Sequence, residues 1–136
     1  MLVPAARIAS ITRQTLEAFV QTLIAEERYD DETGHSTFAD GSPCATCTSA
    51  ARHIARAFGG KVMGYWSAAN PTAEIGSRYD DGHDFALIAD RWVVDYFAYT
   101  TVNLLDAPVL DLHSAADRRL ARRLLGNRKT WAVVPS

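Results

Sequence analysis

Gly82-His83-Asp84-Phe85-Ala86-Leu87-Ile88-Ala89-Asp90-Arg91-Trp92-Val93-Val94-Asp95-Tyr96-Phe97-Ala98 reads as two short strands joined by a tight connection. His83, Phe85 and Leu87 alternate, and Trp92-Val93-Val94 is aromatic and β-branched, the composition that suits a pleated, half-buried surface. Ala89-Asp90-Arg91 is short enough for a hairpin turn. Each strand carries one ionisable group where a core strand would prefer an apolar one: His83 opens the first, and Asp95 lies towards the end of the second. An antiparallel hairpin brings those two ends together. A histidine oriented by an aspartate is two thirds of a nucleophilic triad, so the rest of the chain is searched for a nucleophile.

The chain has 136 residues, enough for one domain with a substantial core, and its 48% hydrophobic content favours a globular fold over disorder. A net charge of −2 gives no general pull towards nucleic acid or a membrane surface. No apolar run is long enough to span a bilayer, and Met1-Leu2-Val3-Pro4-Ala5-Ala6-Arg7 lacks the basic-then-apolar pattern of a secretory signal, so a cytoplasmic location is expected. Cys44 and Cys47 are too few for a disulfide framework. They leave nucleophilic, redox or metal chemistry, or two small buried hydrophobes.

Outward from the hairpin, Ser10 caps an expected first helix to about Arg28, with a stripe of Leu16, Phe19, Val20, Leu23 and Ile24. Residues 29–42 are polar and aperiodic, which predicts a loop. Ser42-Pro43 is a helix-start signal, and the helix it announces carries both cysteines on one face and stops at Gly59-Gly60. Residues 61–67 predict a strand, and 68–81 a long loop that lines or covers a site. Tyr79 and Asp80-Asp81 are placed beside His83 by the same reasoning. Residues 100–112 resist assignment. Ser114 with Asp117 suggests a capping box for a helix to Leu125, and Thr130-Trp131-Ala132-Val133-Val134 a last strand. The expected architecture is a single α+β domain over residues 1–136, with a mostly antiparallel sheet packed against a central helix that bears the nucleophile.

A cysteine at a helix start, His83-x-Phe85, and Trp92-Val93-Val94-Asp95 together resemble the papain-like and transglutaminase-like Cys-His-Asp superfamily of proteases, amidases, deamidases and acyltransferases. The resemblance covers roughly a third of the chain, counted over these motifs and the helix to Gly60. It implies a papain-like fold and a thiol-dependent hydrolase acting on a peptide, amide or glutamine side-chain bond of a protein or peptide substrate. Cys47 matches the nucleophile, His83 the base and Asp95 the orienting acid, with no cofactor. Cys47 is preferred to Cys44 because Ile54 and Ala55 fall where the family pattern places its Leu-Ala pair. Two features depart from the pattern. Asp95 is followed by Tyr96 where many members have proline, and no glutamine lies between Gln21 and Cys47 to serve an oxyanion hole. His35, Ser36 and Thr37 are the substitutes considered for that glutamine.

Two other readings compete. Pro43-Cys44-Ala45-Thr46-Cys47 matches half of the zinc nucleobase-deaminase signature, but no His-x-Glu supplies the other half, since His35, His53 and His113 are followed at the second position by Thr37, Ala55 and Ala115. Arg118, Arg119, Arg122 and Arg123 make the last helix basic, a weak candidate surface for nucleic acid or an acidic partner in a non-catalytic module, or more simply a solvated helix end. His53, between Arg52 and Arg56, is expected to be exposed and idle.

Overall fold

The computed structural model describes residues 10–44, 46–77 and 81–135, with only the backbone of Ser77; Tyr79 and Asp80, which the sequence places near His83, lie outside them. The fold is α+β. Helix α1 (Arg13–Glu26) is followed by a small antiparallel pair, β1 (Arg28–Asp30) and β2 (His35–Thr37), and then by helix α2 (Cys47–Phe58). Next come β3 (Lys61–Trp66), the short turn α3 (Glu74–Ser77), the hairpin β4 (Gly82–Ile88) and β5 (Trp92–Val94), and α4 (Tyr96–Thr100). β6 (Val109–Asp111), α5 (Ala115–Leu125) and β7 (Ala132–Val133) complete the chain. Five strands form one antiparallel sheet in the order β6-β5-β4-β3-β7.

The centre of the sheet is buried on both faces, in keeping with the unbroken apolar runs at residues 85–88 of β4 and over Trp92–Val94 of β5. Ala86, Ile88 and Val94 pack with Leu16, Val20 and Leu23 of α1 and Ile54 of α2. Phe85, Leu87 and Val93 pack on the other side with Leu124 and Leu125 of α5 and with Trp131. Small residues let α2 approach closely: Ala50, Ala51, Ile54 and Ala55 are its buried side. Gly60, just beyond it, has no room for a side chain, because a Cβ there would meet Ile88 Cδ1 at 2.3 Å. Close approach of α2 to β4 carries the N-terminus of the helix, and Cys47 with it, to the start of β4.

Several boundaries differ from the sequence expectation. α1 begins after Thr12, not Ser10, because Thr12 and Thr15 exchange side-chain to backbone bonds in a reciprocal cap. Residues 29–42, expected as a loop, contain β2 and most of β1; their side chains are exposed or half-buried, so no apolar alternation announced them. α2 begins at Cys47 after Thr46, not at Pro43. Pro43 is bridged to Thr37, and the Cys44 amide donates to Ser36 O, so this segment is held by β2 and not by a helix. Cys44 therefore does not share a helical face with Cys47. Of residues 68–81, expected as a loop, Ala73 and Ile75 are buried in the α5-side core. Residues 100–112 contribute the edge strand β6. Ser114 Oγ accepts from the Asp117 amide, but the Asp117 carboxylate turns to Arg13 and the Asp111 amide, leaving the capping box half formed.

The β4–β5 turn holds Ala89 and Asp90 at φ of 55° and 52°. Aspartate tolerates that left-handed region, whereas alanine gains nothing from it. Ala89→Gly is expected to stabilise the protein by up to about 1 kcal/mol, read from urea unfolding midpoints; a lower midpoint would show that the turn is not strained at Ala89.

Candidate active site

His83 and Asp95 meet inside the protein. Their side chains are each 1% exposed, and His83 Nε2–H donates to Asp95 Oδ2 at 2.6 Å. Asp95 is fixed from several directions. It follows β5 directly and caps α4, with Oδ1 accepting from the Ala98 amide at 2.9 Å, while its own amide donates to Pro108 O. The imidazole lies against the rings of Tyr65, Phe85 and Phe97. Burial by itself would push the His83 pKa down. The charge and hydrogen bond of Asp95, and then Cys47 within hydrogen-bonding reach of the ring, outweigh it and raise the value from 6.5 to about 10. His83 is thus cationic at neutral pH. With Nε2 committed to Asp95, Nδ1 is the nitrogen free for other chemistry.

Cys47 is the first residue of α2 and half-buried, and its sulfur accepts from the Asp84 amide at 3.3 Å. An N–H donor and a cationic ring beside a sulfur are what a nucleophilic thiolate requires. Thr46 makes no side-chain bond to the first-turn amides of α2; its hydroxyl pairs with Ser49 Oγ at 2.9 Å. Those amides remain suitable donors for a developing oxyanion. Cys44 is different in kind. It is packed in the α1-side core, and burial, then the Glu27 carboxylate, push its thiol up to about 11. Burial holds it as an inert thiol.

Cys47 and His83 line one cavity of about 620 Å³, open to solvent at the end of β3 and β4. Asp95 lies behind His83, away from the lining. Among the lining residues that sequence reasoning did not place at the site are the polar or aromatic Thr48, Tyr65, Trp66 and Asp84. Thr48 Oγ1 donates to Asp84 Oδ2, linking α2 to β4 beside the thiol. The Tyr65 hydroxyl donates to Ile75 O, and burial together with the charges of Asp95 and Cys47 raises its pKa. Tyr65 sits opposite His83 in the β3–β4 register, a placement the sequence could have given only once that pairing was known. Asp81, expected beside His83, also lines the cavity.

Other sequence candidates lie elsewhere. His35, Ser36 and Thr37 form β2 and are not among the residues lining the cavity, so they do not stand in for the oxyanion-hole glutamine. His53 is not idle: its Nε2 lies 3.1 Å from Ser42 Oγ and 3.2 Å from Asp40 Oδ2, joining the segment before α2 to the helix. Arg118, Arg119 and Arg122 line a separate cavity with Arg128 and Trp131, while Arg123 does not. Among the described residues no three His, Cys, Asp or Glu side chains gather as metal ligands, and Cys44 and Cys47 sit in different environments, so the half-signature for zinc has no completed ligand set there. No described helix is long and apolar enough to cross a membrane. A scan against protein-family models and searches of curated proteins and of solved structures return no match to this chain.

The raised pKa of His83 couples folding to pH. Below about pH 6.5 both folded and unfolded states carry the proton, and the pair's contribution is fully present. Between 6.5 and about 10 only the folded state holds it, so stability falls as pH rises and the contribution is lost above. The slope from this group reaches about 1.4 kcal/mol per pH unit. Asp95→Asn, which removes the charge that holds the proton on His83, is expected to flatten the decline between pH 7 and 9 in denaturant titrations. Parallel declines in the two proteins would show that His83 is not cationic in the fold.

Proposed function

We propose that this protein is a thiol-dependent hydrolase of amide or related acyl bonds, with Cys47 as nucleophile, His83 as proton carrier and Asp95 as the group that orients it. The observation that carries the reading is the buried His83–Asp95 pair opening on the same cavity as the Cys47 sulfur. An ion pair without solvent is costly to desolvate and seldom the most stabilising choice for a core, so its presence beside a thiol favours a chemical role. The arrangement of elements supports kinship with the papain-like and transglutaminase-like superfamily: a cysteine opening a helix packed on an antiparallel sheet, a histidine starting a strand, and an aspartate after the next strand.

In this mechanism Cys47 Sγ attacks the substrate carbonyl carbon, and the oxyanion is met by first-turn amides of α2, that of Cys47 included. The C–N bond breaks as His83 Nδ1 delivers its proton to the leaving amine, giving a thioester. The now neutral His83 takes a proton from water, which attacks the thioester and restores the thiolate–imidazolium pair. Asp95 keeps Nε2 protonated and the ring aimed throughout. The open cavity admits a protein or peptide substrate, and water serves as the acyl acceptor.

Alkylation by iodoacetamide tests this reading without a known substrate. At pH 6 Cys47 is expected to react at least about tenfold faster than free cysteine. Cys44→Ala should retain that rate, and His83→Gln, which keeps a donor for Asp95, should lower it towards the free thiol. A wild-type rate no faster than free cysteine would overturn the proposal.

A further inference from the structure

Resting on the proposed thiol chemistry, we infer that the substrate presents a cationic group, a guanidinium or ammonium, beside the acyl carbon, held between the Trp66 ring and the Asp84 carboxylate. The β3–β4 register sets up this hollow. Trp66 is opposite Gly82, and Gly64 is opposite Asp84, so the four side-chain positions share one face of the sheet, with the two larger residues on a diagonal. Glycine fills the other two corners. A Cβ on Gly64 would meet Asp84 Oδ1 at 2.1 Å, and one on Gly82 would lie 3.4 Å from the Trp66 ring. The floor between ring and carboxylate is therefore backbone, the Val134 side chain closes it beside Gly64 with Cγ2 2.9 Å from where a Cβ would sit, and it belongs to the cavity that holds Cys47.

Exposure and charge say what fits there. Only three large hydrophobic side chains are strongly exposed among the described residues, and two of them, Trp66 at 73% and Val133 at 58%, border this cavity. An indole face in water attracts a cation through its quadrupole. The described lining holds Asp81 and Asp84 and no lysine or arginine. Asp84 Oδ2 takes the Thr48 hydroxyl, which leaves a carboxylate with acceptor sites to spare. The positive charge of His83 is matched by Asp95 behind it. An anionic substrate group would meet the Asp84 carboxylate, and the described lining offers it no cation except His83, already paired with Asp95, whereas arginines cluster at the separate cavity beside α5.

Charged thiol probes test this through reaction at Cys47. In a Cys44→Ala background, modification rates are measured with trimethylammonioethyl, sulfonatoethyl and methyl methanethiosulfonates; in each case the thiolate forms a disulfide and methanesulfinate leaves. Relative to the same cation-to-anion rate ratio for glutathione, Cys47 is expected to favour the cation by about tenfold. Trp66→Ala, whose side chain is largely in solvent, and Asp84→Asn should each bring that ratio to within about threefold of the reference. A fast reaction with the neutral reagent but a reference-like ratio, or a preference that both variants retain, would overturn the cationic subsite and leave the thiol chemistry standing. Slow reaction with all three reagents would overturn both.

Discussion

The hydrogen bond between His83 and Asp95 holds a charge pair where the surrounding protein offers almost no water. Each side chain is 1% exposed, and the ring is flanked by Tyr65, Phe85 and Phe97. In such a medium neither group is tolerable alone, and removing either partner would strand the other at a cost of about 3–5 kcal/mol. The fold accordingly over-determines Asp95, using one carboxylate oxygen for His83, the other for the Ala98 amide, and the backbone N–H for Pro108. The end of β5, the start of α4 and the approach to β6 are thereby tied to the residue that orients His83.

The Cys47 sulfur, the proposed nucleophile, is brought to this pair by packing and not by a charge. α2 lies close on β4 because its buried side is mostly alanine and because Gly60 and Gly64 present no side chains to it or to its neighbours. The Thr48–Asp84 bond and the Asp84 amide on Cys47 Sγ then fix the axial position of the helix at its first turn. A larger residue at Gly64 would displace the Asp84 carboxylate and, through Thr48, the turn that carries the thiol. Stability of the core and aim of the sulfur thus depend on the same few contacts.

These relationships were legible in the sequence where they were local or periodic. The alternation of β4, the β-branched run of β5 and the misplaced polarity of His83 and Asp95 could be read directly, and the structure brings those two side chains together. The start of α2 was misread because Ser42-Pro43 carries a genuine helix-start composition, while a long-range tie to β2 claims Pro43 and Cys44 first. β1 and β2 were invisible because exposed strands need no apolar period. β7 beside β3, and Tyr65 opposite His83, depend on pairings between distant segments that local propensity does not encode. Trp66 illustrates the same limit: as a residue type it reads as core, and only the register shows it standing in solvent over Gly82.

Burial of the pair also decides where a proton can go. Nε2 faces Asp95 inside the core, so exchange between His83 and anything outside passes through the Nδ1 side of the ring and the cavity shared with Cys47. In the proposed hydrolysis, a leaving group would accept its proton and depart by the same opening through which water later arrives. Under that reading the cavity would admit substrate, release amine and admit water in turn, which favours an open mouth over a sealed chamber. Ala73 and Ile75 are buried in the core, and Ala69 just before them lines the mouth, so this part of its wall belongs to the packed fold. Selectivity then has to come from fixed side chains around the opening, a requirement that the sheet-end hollow between Trp66 and Asp84 is placed to meet.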